Sequence, residues 1–258
     1  MDSINYAEGI QKSILPDVKL LHNELPGSFI FFRPRDIVSG DFYFLQKLDN
    51  KLIVACVDCT GHGVPGAFVS MIGSVVLKNI YSQSKWEWRT PEKVLEKLDH
   101  EVKVILQQKS NAGNVKDSEN TLSKDGMDLT LCEINLETKE VLLASARQTS
   151  LLQLNDEIIV HKGDARSIGE ENTRQIPFSL HRFQLSSNDA LYIFTDGYTD
   201  QFGGPDGKKL KSSGTKAIVE GLIQLKREEY ANRIESDFES WKSGVDQIDD
   251  VLFIGILV

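Results

Sequence analysis

Four aspartates stand where strongly apolar runs begin or end. Asp58 closes LIVACVD and Asp196 closes LYIFTD, whereas Asp41 opens DFYFL and Asp249, followed by Asp250, precedes VLFIGILV. If these runs are antiparallel strands, the end of one lies beside the start of its neighbour, and all four carboxylates can meet on one edge. Carboxylates gathered in this way repel and raise one another's pKa unless a cation lies among them. Oxygen donors without a His or Cys set select Mg2+ or Mn2+ over zinc or copper. Two such ions about 3.5–4 Å apart can hold a hydroxide and stabilise in-line displacement at phosphorus, so phosphoester cleavage is the expected chemistry.

Each acid alone has a second reading, as a turn or cap residue satisfying nearby backbone N–H groups. The joint pattern favours a site: D-x-x-G-H-G after one strand, T-D-G after another and D-D before a third. His62, between Gly61 and Gly63, either braces the turn through its ring nitrogens or donates a proton to a leaving group. The same turn runs into Val64, Pro65 and Gly66, which open a helix, and its glycines leave room for ions and substrate. No Cys or Ser is evidently paired with a base, so direct attack by a metal-activated hydroxide, without a phosphoenzyme, is expected.

The elements that must carry these acids follow from periodicity. Phe29 to Arg33, Gly40 to Leu48 and Leu52 to Cys59 read as strands, the last two joined in a hairpin at Asp49-Asn50. From Pro65 the period becomes 3.6, with Phe68, Met71, Ile72, Val75, Val76 and Asn79 on one stripe. A second helix starts at Thr90 as N-cap with Pro91 at its first position, burying Val94, Leu95, Leu98, Val102 and Ile105. Ser110 to Lys124 is polar and reads as a loop. Strand-like runs follow at Met127 to Asn135, Glu140 to Arg147, Leu151 to Leu154, Glu157 to His161, Leu180 to Leu185 and Ala190 to Thr195. With no helices between them they pair antiparallel. Helices around Ala217 to Leu225 and Tyr230 to Trp241 precede a final strand buried on both faces. The order predicts an α+β fold, two stacked antiparallel sheets flanked by helix pairs. Ser3 to Leu15 forms a helix with Ile4, Ala7, Ile10 and Ile14 on its apolar side, either a regulatory linker from an upstream module or a helix packed on the domain. Residues 1–27 are accordingly separated from a domain at 28–258.

The chain has 258 residues, a net charge of −9 and a pI near 5.1, which argues against nucleic acid as a partner. No apolar run approaches the roughly 20 residues needed to span a bilayer, and the first residues lack the basic-then-apolar order of a signal peptide. A cytoplasmic protein making no membrane contact is expected. Three cysteines, Cys56, Cys59 and Cys132, cannot all pair and suit a reducing compartment. On a strand, the spacing of Cys56 and Cys59 turns them to opposite faces, favouring buried structural thiols over a metal or redox pair.

In order and approximate spacing, Ser39-Gly40-Asp41-Phe42, Val57-Asp58-Cys59-Thr60-Gly61-His62-Gly63, Phe194-Thr195-Asp196-Gly197 and Asp249-Asp250-Val251 resemble the motifs of the SpoIIE-type branch of the PPM metal-dependent serine/threonine phosphatases. Thr195 to Lys209, TDGYTDQFGGPDGKK, is similar to the form found in SpoIIE-type output domains of bacterial sensors. The resemblance runs from about Phe29 to Val258. It implies an αββα sandwich, a binuclear Mn2+ or Mg2+ centre, and a phosphoserine or phosphothreonine protein as substrate, commonly a small STAS-type partner. It also implies that Asp58 bridges the ions, that Asp41 and the Cys59 carbonyl complete one, and that Asp196 and Asp249 complete the other. Asp250 is then a neighbour. The chain departs from the family at Ala144-Ser145-Ala146-Arg147, where Ala-Gly-His or Ala-Gly-Ala is frequent. Asp125-Gly126-Met127-Asp128 likewise differs from the Met-Phe form and suits the sensor-linked subgroup. Arg33, Arg35 and Arg147 are either phosphate contacts, since guanidinium matches phosphate bidentately, or solvated surface arginines. Rival readings are a small-molecule phosphatase or phosphodiesterase with the same two-metal chemistry, and a non-catalytic partner-binding domain. Dimerisation through the Ser3 to Leu15 helix is a further expectation.

Overall fold

The computed structural model describes residues 2–83, 89–106, 125–170 and 176–258; the stretch Ser110 to Lys124, expected as a loop, lies outside them. The first half comprises α1 (Asp2–Ile14), α2 (Lys19–Glu24), β1 (Phe29–Arg33), β2 (Phe42–Leu48), β3 (Lys51–Cys59), α3 (Gly63–Ser82), α4 (Pro91–Ile105) and β4 (Met127–Asn135). Then come β5 (Glu140–Ala146), β6 (Thr149–Leu154), β7 (Glu157–Lys162), β8 (His181–Gln184), β9 (Ala190–Phe194), α5 (Asp196–Asp200), β10 (Phe202–Gly203), β11 (Lys208–Lys209), α6 (Lys211–Leu222), α7 (Tyr230–Lys242) and β12 (Val251–Leu257).

Two five-stranded sheets, ordered β2-β3-β4-β5-β8 and β1-β12-β9-β6-β7, are antiparallel throughout and stacked face to face. The alternation along β3 shows why. Leu52, Val54 and Cys56 turn inward to meet Leu191, Ile193, Leu252 and Ile254 of the other sheet. Ile53, Ala55, Val57 and Cys59 turn outward under α3 and α4. A strand covered on both sides has no polar face, which explains its unbroken apolar run. Burying each large side chain contributes about 1.5–3 kcal/mol. Beyond the second sheet, Tyr192, Tyr198 and Phe253 pack beneath Val219 of α6 and Phe238 of α7. The architecture is thus an αββα sandwich. Cys56 and Cys59 occupy opposite faces as expected, and all three cysteines are free and buried.

Several local expectations are corrected. The buried side of α3 runs through Gly66, Ala67, Ser70, Gly73 and Ser74 as well as Val69, Val76, Leu77 and Ile80, whereas Phe68 and Val75 are 64% and 47% exposed. The helix lies so close to the sheet that a Cβ on Gly73 would press on Met127 and Phe42. Close approach selects small side chains, and hydrophobic periodicity overlooks them. By length and composition α3 could cross a membrane, contrary to the reading that no run approaches that length, but half of it is buried within the fold. Ile105 faces outward with Val104 at the end of α4. The Thr90 hydroxyl donates to the Glu92 carboxylate at 2.6 Å and caps no helix N–H. The short α2 was not anticipated; with Leu25, it buries Leu21 in the layer between the sheets.

Candidate metal centre

Each sheet delivers two of the four aspartates to the same end of the sandwich. Asp58 lies near the end of β3 and Asp41 immediately precedes β2, and the register Phe42↔Val57 sets them side by side. Asp196 opens α5 just past β9 and Asp249 lies just before β12, strands whose register pairs Phe194 with Phe253. The expected single sheet edge is therefore two edges, one above the other. Thr195 joins them. Its hydroxyl donates to Asp41 Oδ2 at 2.7 Å and accepts the Leu252 N–H at 3.0 Å, and the Asp196 N–H reaches Asp58 Oδ2 at 3.5 Å.

The motif glycines serve backbone packing. A Cβ on either Gly40 or Gly66 would collide with the Gly61 carbonyl, and Gly61 itself has φ +84°. Side-chain-free backbone at these three points lets the Asp41 loop, the turn after Asp58 and the start of α3 close on one another. A Cβ on Gly197 would likewise strike the Asp250 carbonyl.

The electrostatics are dominated by burial and mutual repulsion. Asp41 is 3% exposed, and burial, then Asp58, hold its carboxyl well above the usual range despite the Thr195 hydrogen bond. Asp58 is also held well up, first by desolvation and then by Asp196 and Asp128. Asp196 is raised to about 6 by desolvation, then by Asp249. The charges acting on these three acids are all carboxylates. One of them, Asp128, lies directly opposite Asp58 in the β3–β4 register and is itself raised by burial, with Ser167 and Arg147 opposing the rise. It was missed as a site residue because it sits inside a strand; the signal was an acid interrupting MDLTL.

Residues 49–258 match the family described as Stage II sporulation protein E (SpoIIE). The chain belongs to the SpoIIE family. Its fold is shared with the SiaA-PP2C domain of Pseudomonas aeruginosa at a TM-score of 0.84 and 25% identity, over 100% of this chain and 96% of that one. The RsbU and RsbW domains of Rv1364c from Mycobacterium tuberculosis give 0.67 at 18% identity, over 90% of this chain and 60% of that one. RsbX in complex with magnesium gives 0.59 at 16% identity, over 90% and 94%. No curated protein matches the sequence. This is a PPM/PP2C-type phosphatase domain of bacterial signalling.

Within this SpoIIE-family site, Asp250 has a structural task. It is 2% exposed, accepts the Arg35 and Gly40 N–H groups at 2.7 Å each, and through its own N–H contacts Asp249 Oδ1 at 2.8 Å. It thereby holds the 35–40 loop that ends at Asp41. From the other side Gln11 of α1, 8% exposed, grips Ser39: its Nε2 donates to the Ser39 carbonyl at 2.6 Å and its Oε1 accepts the Ser39 N–H at 3.0 Å, while Nε2 also meets Ser70 Oγ of α3 at 3.0 Å. Arg33 pairs with Glu235 and Glu239 of α7, and Arg35 donates to the Ile248 carbonyl at 3.0 Å. Arg147, in the left-handed region at φ 58°, pairs with Glu170 at 2.9 Å. His62 Nδ1 lies 3.1 Å from Asp36 Oδ2 at the mouth of the turn. The Cys59 side chain points into the helix-facing core, which leaves its backbone carbonyl as its only group for a site.

An oxygen-only donor set of mutually repelling carboxylates suits hard divalent cations. Among the described residues no three His, Cys, Asp or Glu close into a ready coordination sphere. That is compatible with Mg2+, which takes one or two carboxylates per ion and keeps several waters.

Proposed function

We propose that this chain is a metal-dependent serine/threonine protein phosphatase of the bacterial cytoplasm, hydrolysing phosphoserine or phosphothreonine on a STAS-type partner protein. The observation that carries the reading is the meeting of Asp41, Asp58, Asp196 and Asp249 at one end of the sandwich, where the charges raising the first three are other carboxylates. In this reading two Mn2+ or Mg2+ ions would be held by Asp58 in common, one of them with Asp41 and the Cys59 carbonyl and the other with Asp196 and Asp249. When bound, the ions supply Lewis acidity, lowering the pKa of water and offsetting charge on the phosphoryl oxygens. The magnesium in RsbX supports this choice.

The chain's own residues prepare the site. Thr195 fixes the orientation of the Asp41 carboxylate through Oδ2. Asp250 and Gln11 hold the loop that presents it. Of the candidate phosphate contacts, Arg147 is the one whose charge acts on an acid of the group, Asp128. Its pairing with Glu170 is about half solvent-exposed, and such a pair is worth at most about 1 kcal/mol, so a phosphate can replace it. A regulatory partner or upstream sensor acting through α1 completes the proposal, in keeping with a neighbour that joins RsbU and RsbW domains.

The test is Mn2+-dependent dephosphorylation of phosphoserine STAS-type proteins. Asp58→Asn is expected to cut turnover roughly a thousandfold, since several kcal/mol of charge stabilisation depend on it, with an unchanged circular dichroism spectrum. Wild-type turnover in that variant would overturn the role of Asp58. Activity confined to nucleotides or other small phosphoesters would replace the protein substrate with a small one.

A further inference from the structure

Asp196 and Asp249 come from segments far apart in the chain, and neither lies inside a strand. The β9–β12 ladder stops at the Phe194–Phe253 pair, short of both, and Val251 pairs instead with Arg33 of β1. Side-chain ties set their separation: Gln247 Nε2 donates to the Asp249 and Arg33 carbonyls at 2.8 and 2.9 Å, which fixes Asp249 to β1 but not to Asp196. Gln201, immediately after α5 and 0% exposed, is bonded in the right places. Its Nε2 donates to the Asp246 carbonyl at 3.0 Å and to the Phe202 carbonyl at 3.0 Å. Its Oε1 accepts the Ile248 N–H at 3.3 Å. The Gln201 carbonyl in turn accepts the Trp241 indole N–H at 2.9 Å and the Leu210 N–H at 3.1 Å.

We propose that Gln201 is a positioning residue that fixes Asp249 relative to Asp196, and so assembles the half of the metal centre that these two acids hold. The proposal rests on the two-ion reading above. The five-residue α5 has Asp196 at its first position and Gln201 just past its last, so it is a short rigid bar. One end is tied through Thr195 to Leu252, and the other is tied by the Gln201 amide to Asp246 and Ile248, which lead directly into Asp249. The tie matters because the preceding segment has no ladder of its own: Ser243 and Gly244 take φ 41° and 87°, and residues 243–246 are exposed. An apolar side chain would fill the same buried space. Only a group with both a donor and an acceptor can grip a carbonyl and an N–H two residues apart.

The experiment measures Mn2+ binding by calorimetry, together with electron paramagnetic resonance of the bound Mn2+, where two neighbouring ions give a spin-coupled signal distinct from that of one. Gln201→Leu is expected to keep the first binding event near wild type, weaken the second at least tenfold, and lose the coupled signal at equal Mn2+ loading. Gln153→Leu is the control. Gln153 of β6 is another buried amide, 3% exposed, bonded to the Asn188 carbonyl and to the hydroxyl of Tyr192 on β9. Its loss should lower thermal stability and leave both binding events intact. Trp241→Phe, which removes the N–H donated to the Gln201 carbonyl together with part of the ring packed on Gly204, should weaken the second event a few-fold, and it decides the matter if Gln201→Leu does not fold. Unchanged second binding in the Gln201 variant, or in Trp241→Phe where that variant must decide, would overturn the proposal, as would equal weakening in Gln153→Leu. Absence of Mn2+ binding in the wild type would instead overturn the metal reading, and this proposal with it.

Discussion

Replacing Asp196 by Asn should stabilise the metal-free protein at neutral pH while removing a proposed ligand. Desolvation and then Asp249 hold the Asp196 carboxyl at about 6, against 3.8 for a free aspartate. A change of that size is roughly hundredfold in proton affinity, or about 3 kcal/mol against the ionised folded state. Asp196 is solvent-exposed, and screening reduces the penalty to about 1.5 kcal/mol. In a chain of this size each kcal/mol moves Tm by about 2–4 °C, so the variant should melt roughly 3–6 °C higher in EDTA at pH 7.5. The sign follows from a raised folded pKa: the wild type keeps its full stability below 3.8 and loses it as pH rises through about 6. The gap between variant and wild type should therefore vanish near pH 4 and be complete above pH 7. Saturating Mn2+ should reverse the order, because an ion at a hundred times its Kd stabilises the wild type by about 2.7 kcal/mol. Asp250→Asn must behave oppositely: one of two N–H groups, the part-buried one of Arg35 or the buried one of Gly40, loses its acceptor, at a cost of about 1–3 kcal/mol with or without metal. A lower Tm for Asp196→Asn in EDTA at pH 7.5 would refute the claim that the acids are held together against their own repulsion.

Gln11→Ala should weaken Mn2+ binding roughly tenfold, because the Ser39 N–H and carbonyl lose buried partners worth about 1–3 kcal/mol beside Asp41; unchanged Mn2+ affinity would show that α1 packs on the domain without acting on its centre. His161 offers a pH-dependent prediction away from the acids. Burial, and then the His181 ring with its centroid 4.3 Å away, push the His161 pKa below 6.5, with Asp164 opposing. The folded state thus disfavours the charged ring, and this contribution is present above pH 6.5 and lost as the pH falls through the lowered value. Urea unfolding should show the wild type losing stability between about pH 6.5 and 5 more steeply than His161→Gln, and equal slopes would refute it.

The acids were legible because a carboxylate ending or opening an apolar strand contradicts its surroundings, and Asp41, Asp58, Asp196 and Asp249 each do so. The strands were legible for the same reason, since doubly covered runs such as Leu52 to Val57 hold no polar residue before the end of the strand. Where contrast was missing, reading failed. The small residues that seat α3 do not stand out from its larger apolar ones, so the stripe was drawn through Phe68 and Val75, which face outward. The six-residue α2 and five-residue α5 are too short to show a period. The deeper gap lies in what aligns the acids. Gln11 meets its loop across 28 residues and Gln201 its segment across 45, and an isolated glutamine in a helix or after a turn looks like any solvated amide. Chemistry constrains the type of a ligand, so ligands can be read from sequence. Alignment constrains only that some donor and acceptor arrive together, which many side chains at many positions could satisfy. A site of this kind is therefore half visible in its sequence. The invisible half is where substitutions that leave every carboxylate in place should still disable the centre.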